Sequence, residues 1–302
     1  MLKFAARHGR WCLVIGLLFG LTLPGLAEAL RPHLPVMIAA LLFLAAFRIG
    51  PEAIWNSIRS DFGDIGLIVV LQIVVPLLLL GGAHLLSVGG TTVALAAVLL
   101  FSAPSVTGSA NFALLMNVRP EAALRLLMVG TALFPITVLP VLLFIPELET
   151  ATVLSASVRL VATVLLAGGV ALFLRRGRFK TLSLSQEKNL DGASAILLGV
   201  VVIGLMSAVG PMLRSTPMDF AIWLGFATLL NFSAQLLAWH TMARTRFAKE
   251  RAAISIVAGN RNIALFLIAL PPETTLGLLS FIGCYQIPMY LTPILFRRIY
   301  RD

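Results

Sequence analysis

Four consecutive residues, Gly259-Asn260-Arg261-Asn262, place two amides and a guanidinium in the middle of an apolar stretch that runs from Arg251 to Leu270. Arg261 lies ten residues after Arg251, which is roughly 15 Å along a helix at 1.5 Å per residue. That depth is near the middle of a bilayer core about 30 Å thick. An arginine there costs roughly 2.5–3.5 kcal/mol on insertion scales, so we expect it to face the protein interior and to be paired. Its partners would be backbone carbonyls, asparagine side chains or an anionic substrate, although a purely structural bond to a neighbouring helix would also explain it.

A second apolar stretch, 92–117, is interrupted in a similar way. Pro104 removes a backbone donor, and Gly108 permits local unwinding. Side chains that offer oxygen or nitrogen to an ion or a substrate follow at Ser102, Ser105, Thr107, Ser109 and Asn111. Close helix packing through small residues would explain this segment taken alone. Its pairing with the 259–262 segment predicts a binding site.

Two amides in other apolar stretches, Gln72 and Asn231, complete the candidate set. Each is as consistent with a hydrogen bond between helices as with a ligand. Asn231 shares a helix face with Gln235, four residues further on. The predicted substrate-binding or ion-binding residues are Gln72, Pro104, Ser105, Thr107, Gly108, Ser109, Asn111, Asn231, Gly259, Asn260, Arg261 and Asn262.

The composition predicts a polytopic membrane protein. Of 302 residues, 59% are hydrophobic and 12% are charged, and the mean hydropathy is +0.98. A soluble domain of this length does not keep so few charges. Cys12 and Cys284 lie far apart in apolar runs, so they predict neither a disulfide nor a metal or redox motif.

Ten apolar segments of spanning length follow one another, bounded by charges, Pro or Gly. The first resembles a cleavable signal peptide that ends near Ala27-Glu28-Ala29, but we expect it to be retained as a membrane helix. We expect the polar link 175–192 to be a solvated loop. The predicted spans are 11–28, 34–47, 65–85, 92–117, 122–145, 152–174, 193–212, 219–241, 252–270 and 275–296.

The basic residues are distributed unevenly between the predicted loops. Both termini and the even-numbered loops carry 18 Lys and Arg residues, whereas the other loops carry only Arg31 and Arg214. This asymmetry predicts an inner-membrane protein with both termini in the cytoplasm. The net charge of +10 is therefore interpreted as an orientation signal, and nucleic acid is not an expected partner. The expected partners are the lipid bilayer and a small substrate.

Ten spans divide into two halves of five that enter the membrane from opposite sides. Similar halves of this kind are inverted repeats, a common plan of secondary transporters, whose sites lie where interrupted helices meet near the midplane. The fourth and ninth predicted spans, each the fourth of its half, are the interrupted ones. We therefore predict an all-α membrane protein with ten transmembrane helices in a single domain, 1–302, built from inverted repeats at about 11–145 and 152–296.

The positions of the acidic residues indicate whether transport could be coupled to protons. All 13 Asp and Glu residues fall in predicted loops or at helix ends, and we interpret Arg125 as a surface pair with Glu121, one turn earlier. A proton-driven carrier usually needs a titratable group within the membrane. We therefore do not expect proton coupling through a buried carboxylate.

The chain carries, in order, Leu23-Pro24-Gly25-Leu26, Gln72 with Pro76, the Pro104–Asn111 break, Leu230-Asn231 and the segment Ile254–Asn262. In the order of these landmarks it resembles the bile acid:sodium symporter family and its bacterial relatives. The segment Ile254–Asn262 is similar to the family's S-I-E-x-G-x-Q-N helix. The resemblance covers essentially the whole chain. It implies a panel domain and a core domain, crossing of the fourth and ninth helices, and uptake of organic anions with sodium.

This chain departs from the family at the sodium ligands that the resemblance implies. Val257 stands where the family has a sodium-binding Glu, and Arg261 stands where it has a Gln. Ser109 matches, but the Asn that follows it in the family is Ala110 here, and Ala123 and Leu127 replace hydroxyl ligands. We hypothesise that Arg261 supplies a fixed positive charge in place of sodium. If sodium is bound, its candidate ligands are Ser109, Asn111 and Asn260.

The sequence thus predicts a secondary transporter of a small organic anion that works by alternating access, with Arg261 replacing the cation. An ordinary sodium-coupled organic anion symporter is the first alternative, and a non-transporting sensor or paralogue on the same fold is the second. An arsenite exporter of the same superfamily fits less well, because neither cysteine lies in the fourth helix. No nucleophile with a base, metal cluster or phosphate loop indicates an enzyme, and no cofactor other than Na⁺ is expected.

Overall fold

The computed structural model describes residues 1–52, 62–146, 148–177 and 179–301, and these residues form helices and no strand. Arg59 and Arg178, which belong to the basic loop residues, lie outside the described residues. In chain order the helices are α1 (Leu2–Arg7), α2 (Gly9–Thr22), α3 (Pro24–Leu30), α4 (Leu34–Ile49), α5 (Phe62–Val69), α6 (Val75–Leu85), α7 (Thr92–Ser102), α8 (Ser109–Leu115), α9 (Glu121–Leu143), α10 (Thr150–Thr163), α11 (Gly169–Arg176), α12 (Leu184–Leu205), α13 (Val209–Ser215), α14 (Pro217–Met242), α15 (Arg251–Gly259), α16 (Phe266–Ala269) and α17 (Pro272–Leu295).

Several of these helices join into longer stretches. The π-turn Val70–Val74 connects α5 to α6, and a second π-turn, Val164–Gly168, connects α10 to α11. Within the described residues, seven stretches are long and apolar enough to cross a membrane. They are Pro24–Ile49, Gly63–Leu85, Glu121–Leu143, Thr150–Arg176, Leu184–Ser215, Pro217–Met242 and Pro272–Leu295.

The end of the first predicted span is misplaced. The span 11–28 was expected to be one helix, but α2 ends at Thr22 and a new helical stretch begins at Pro24. Proline lacks an N–H and has a fixed φ, so it starts a helix more easily than it continues one. The 3₁₀ turn Arg31–His33 then carries this stretch into α4, without the loop that we predicted between the first two spans.

The polar link 175–192 is also shorter than predicted, because α12 begins at Leu184. Ser183 caps the helix by accepting a 3.3 Å bond from the N–H of Gln186, whose side chain accepts a 2.9 Å bond from the N–H of Ser183. This reciprocal pair is a capping box. The charged residues that suggested a loop form a solvated helix face, on which Asp191 accepts a 2.9 Å bond from Arg48 of α4.

The long helix α12 packs closely against α2 and α4. A Cβ atom added to Gly16 of α2 would lie 2.5 Å from the carbonyl oxygen of Gly199 in α12. The two backbones therefore approach to a distance that only glycine permits, as in other small-residue packings of membrane helices. This packing makes α2, α4 and α12 one group of helices.

A second group of helices is joined by an ion-pair cluster that differs from our prediction. Arg125 at the start of α9 does not pair with Glu121. Its Nε donates to Asp64 of α5 at 2.8 Å, and its Nη2 donates to Glu250 at 3.0 Å. Asp64 is only 1% exposed, so an acidic residue at a helix end is buried here. The cluster links the beginnings of α5 and α9 to the turn that precedes α15.

Candidate functional site

The two interrupted segments lie against each other and pair through their backbones at a contact that we name the crossing. Between α7 and α8, and between α15 and the 3₁₀ turn Ile263–Leu265, the chain leaves the helical conformation. Ser105 and Arg261 form an isolated antiparallel bridge. On either side of it, Val106 N–H donates to the carbonyl of Asn260 at 2.9 Å, and Asn262 N–H donates to Pro104 at 2.8 Å.

This pairing explains how polar backbone is tolerated in such apolar surroundings. Each unpaired N–H or C=O costs several kcal/mol in hydrocarbon, so non-helical backbone at membrane depth must find partners within the protein. Each interrupted segment supplies those partners to the other. The sequence predicted the two interruptions, and the structure brings them into direct contact.

Arg261 is buried at this crossing, with 2% of its surface exposed. Its Nη2 donates a 3.0 Å hydrogen bond to the carbonyl of Leu71, within the π-turn that joins α5 to α6. Its Nε is buried and has no hydrogen-bond partner among the described residues. A guanidinium has five N–H donors, so this one keeps hydrogen-bonding capacity for a further acceptor.

Tyr285 of α17 fixes the backbone beside Arg261. Its hydroxyl accepts a 2.9 Å bond from Arg261 N–H and donates to the carbonyl of Gly259. Asn231 of α14 also donates to that carbonyl, at 2.6 Å. The end of α15 is thus held from two neighbouring helices, and Arg261 starts from a constrained position.

Asn231 belongs to a buried network of amides and hydroxyls that extends away from the crossing. Gln235 donates 2.7 Å and 3.0 Å bonds to Asn231 and Thr292, and Thr292 donates to Asn260 at 3.1 Å. At the far end, Tyr300 donates to Gln235 at 3.1 Å. Burial raises the pKa of Tyr300, so its hydroxyl keeps the proton that it donates. Satisfied buried networks of this kind make a structure more rigid.

Two hydroxyls on the other interrupted segment have no hydrogen-bond partner among the described residues. The Oγ atoms of Ser105 and Ser109 are buried, and no described residue forms a hydrogen bond with either. Buried polar groups are normally hydrogen-bonded, so such exceptions often mark a site for water, an ion or a ligand. Asn111 differs from these two serines because it lies on the exposed face of α8.

The remaining candidates have other surroundings. Gln72 is buried between helices, where Oε1 accepts from Thr137 of α9 at 2.6 Å and Nε2 donates to Gly130 at 3.4 Å. For Gln72 the sequence allowed either a hydrogen bond between helices or a ligand, and the structure shows hydrogen bonds between helices. Thr107 and Gly108 are half-buried. Gly108 has an ordinary φ of −84° as the residue before α8.

A cleft lies where the crossing faces the group formed by α4 and α12. The cavity within it has a volume of about 30 Å³, which is room for roughly two water molecules. The crossing contributes Arg261, Asn262 and Thr107 to its wall. The apolar walls come from α4 and α12, and α17 adds Gln286, Met289 and Tyr290. Arg261 therefore borders a largely apolar space.

The polar residues of α17 were not among the predicted site residues. Tyr285 and Thr292 are seven residues apart and share a helix face, as do Gln286 and Tyr290. Polar residues at helical spacing in an apolar span were the available signal. One of these faces serves the buried network, and the other borders the cleft.

The apolar helices and the buried polar crossing define a multi-pass membrane protein in a lipid bilayer. Comparison with protein-family models and with curated proteins finds no match for the chain.

Proposed function

We propose that the protein is a secondary transporter of a small organic anion, which it carries by alternating access. The observation that carries the proposal is the buried Arg261, which lines the cleft and whose Nε has no hydrogen-bond partner among the described residues. A buried charge is stable only when it is paired, and among the described residues the guanidinium bonds only to the neutral carbonyl of Leu71. A carboxylate in the cleft would supply the missing negative charge.

The helix pattern supports a ten-span, inverted-repeat arrangement. Seven long stretches, the shorter helix α2 and the two interrupted segments would together make ten crossings. The interrupted segments are the fourth and the ninth in this order, and crossing of corresponding broken helices is typical of inverted-repeat carriers. The proposed fold is that of the bile acid:sodium symporter family, in a single domain, with both termini in the cytoplasm of a cell with an inner membrane.

The two groups of helices are consistent with a division into a panel domain and a core domain. The helices α2, α4 and α12 would form the panel, and the crossing with α14 and α17 would belong to the core. The cleft lies between them. In alternating access one group rocks against the other around the site, so the cleft would open to each side in turn.

The test is uptake into proteoliposomes. Radiolabelled carboxylates would be offered in sodium chloride and in choline chloride, and uptake into protein-free vesicles would be subtracted because protonated acids cross lipid unaided. We expect saturable uptake that is similar in the two salts, since Arg261 replaces the cation. Binding of a carboxylate without any flux would instead indicate a non-transporting sensor.

A second candidate function is ordinary sodium-coupled symport, which is favoured by the two buried hydroxyls that have no partner within the described part of the chain. The Oγ atoms of Ser105 and Ser109 are oxygen ligands of the kind that a hard cation takes,. Uptake that requires sodium in the same assay, and that Ser109→Ala abolishes, would support this candidate. It would also contradict the role of Arg261 as a substitute for the cation.

A further inference from the structure

The helix α14 presents an exposed apolar face that continues to its last turn. Leu229, Leu236 and Leu237 are exposed, and Leu237 is 65% exposed. In a bilayer such a face contacts the acyl chains of lipids. Side chains three or four positions apart share a helix face, so the exposed residues His240 and Thr241 continue the face of Leu236 and Leu237. The face therefore changes from apolar to polar within one turn.

An open hollow lies at this polar end of α14. It is lined by His240, Thr241, Ala243 and Arg244, and its volume is about 580 Å³. This volume falls within the range of small-molecule pockets, roughly 300–1,000 Å³. The hollow therefore has room for a phosphate group with a glycerol on either side of it.

The two basic residues of the hollow are available to a ligand. Among the described residues, neither the ring of His240 nor the guanidinium of Arg244 has a hydrogen-bond or ion-pair partner. The acidic residue of the turn between α14 and α15 is Glu250, which is paired with Arg125. A guanidinium presents its N–H donors in a planar fork that matches the oxygens of a phosphate.

Further positive charge lies at the same end of α14. The guanidinium of Arg251 lies over the ring of Trp239, with Cζ 3.7 Å from the ring centroid. Tyr300 also packs against Trp239, with the ring centroids 5.0 Å apart, and this contact holds the turn that contains the exposed residues Arg297 and Arg298. Clusters of basic residues at the ends of membrane helices attract anionic lipids.

We propose that the hollow binds an anionic phospholipid, with its phosphate on Arg244 and His240 and its acyl chains along Leu236 and Leu237. The two halves of the surface match the two halves of such a lipid, whereas a soluble phosphate would use only the basic half. The cleft beside Arg261 is lined by other helices. The lipid site is therefore independent of the proposed transport function.

Native mass spectrometry of the full-length protein, released from detergent, tests the site with two lipids that share their acyl chains. They are dioleoylphosphatidylglycerol, which is anionic, and dioleoylphosphatidylcholine, which is zwitterionic. One basic residue near the membrane surface raises the affinity for an anionic lipid about fivefold. We expect the first phosphatidylglycerol to bind at least about fivefold more tightly than phosphatidylcholine. Equal affinities would overturn the proposal.

Arg244→Gln tests the position of the phosphate. It should lower the affinity for phosphatidylglycerol about fivefold and leave that for phosphatidylcholine unchanged. Arg176→Gln is the matched control, because Arg176 is an exposed arginine in the last turn of α11 and does not line the hollow. The control should bind both lipids as the wild type does. An undiminished affinity in Arg244→Gln, or an equal loss in both variants, would show that there is no specific site in the hollow.

Competition with a headgroup that lacks acyl chains distinguishes a lipid site from a site for a soluble anion. sn-Glycerol 3-phosphate at a tenfold excess over phosphatidylglycerol should leave the bound lipid in place, because it buries no apolar surface on the leucines. Displacement of the lipid at this concentration would assign the hollow to a soluble phosphate and would contradict the proposal.

Discussion

The guanidinium of Arg261 donates a 3.0 Å hydrogen bond to the carbonyl oxygen of Leu71, 190 residues earlier in the chain. The carbonyl is available because of the π-turn Val70–Val74. There, Val75 N–H donates to Val70 instead of to Leu71, so the usual i+4 donor of Leu71 is used elsewhere. A π-turn inside a helix is often found at a functional site. This one orients the arginine without neutralising its charge.

Replacing Tyr285 by Phe tests how the backbone beside Arg261 is held. The substitution removes the hydroxyl that accepts from Arg261 N–H, and a buried donor left without a partner costs about 1–3 kcal/mol. We expect a clearly lower midpoint of thermal unfolding in detergent. Tyr290→Phe is the matched control, because its hydroxyl has no recorded partner among the described residues, and it should unfold close to the wild type. Equal midpoints for both variants would contradict this role of Tyr285.

The close approach of α14 to the end of α15 predicts the effect of a methyl group at Gly259. A Cβ there would lie 2.3 Å from Cγ of Gln235 and 2.4 Å from the backbone oxygen of Asn231. Because backbone cannot move aside cheaply, Gly259→Ala should destabilise the fold by about 1–3 kcal/mol. Gly225→Ala in α14 meets nothing within 4 Å and should be neutral or stabilising by up to about 1 kcal/mol. Thermal unfolding of the pair measures the difference, and a Gly259→Ala variant as stable as Gly225→Ala would show that the contact is loose.

The ion-pair cluster around Arg125 predicts a large loss of stability when this residue is replaced, although the sequence predicted that it lies at the surface. Arg125→Gln leaves the buried carboxylate of Asp64 without its cation, which typically costs about 3–5 kcal/mol. Arg48→Gln removes an exposed ion pair with Asp191 and should cost at most about 1 kcal/mol. Denaturant titration of both variants compares the losses.

A double variant checks the cause of the Arg125 effect. Asp64→Asn combined with Arg125→Gln should lose less stability than the sum of the single losses, because the uncompensated charge is then absent. Strictly additive losses would mean that the two residues do not interact.

The interruptions of two apolar stretches were the part of the site that the sequence could predict. Pro104 and the residues 259–262 break a local hydrophobic pattern, and a local pattern is visible without knowledge of the fold. The depth of Arg261 followed from counting residues along the same segment. The long apolar stretches likewise predicted a helical membrane protein, which the structure confirms.

The partners of these residues could not be predicted, because they are distant in the chain. Nothing local indicates that Leu71 would accept from Arg261, or that Asp64 would be the buried partner of Arg125 in place of nearby Glu121. The residues of α17 were missed because Tyr, Gln and Thr are mild exceptions within a span that is otherwise apolar. The start of α12 was missed because a charged helix face and a charged loop have similar compositions.

We propose that Arg261 receives the charge of the transported anion. The most direct test is uptake of a carboxylate, identified with the wild type, into proteoliposomes in choline chloride, measured for the wild type, Arg261→Lys and Arg261→Gln. We predict that Arg261→Gln loses nearly all sodium-free uptake and that Arg261→Lys, which keeps the charge without the guanidinium geometry, retains a part of it. Undiminished sodium-free uptake by Arg261→Gln would contradict the claim.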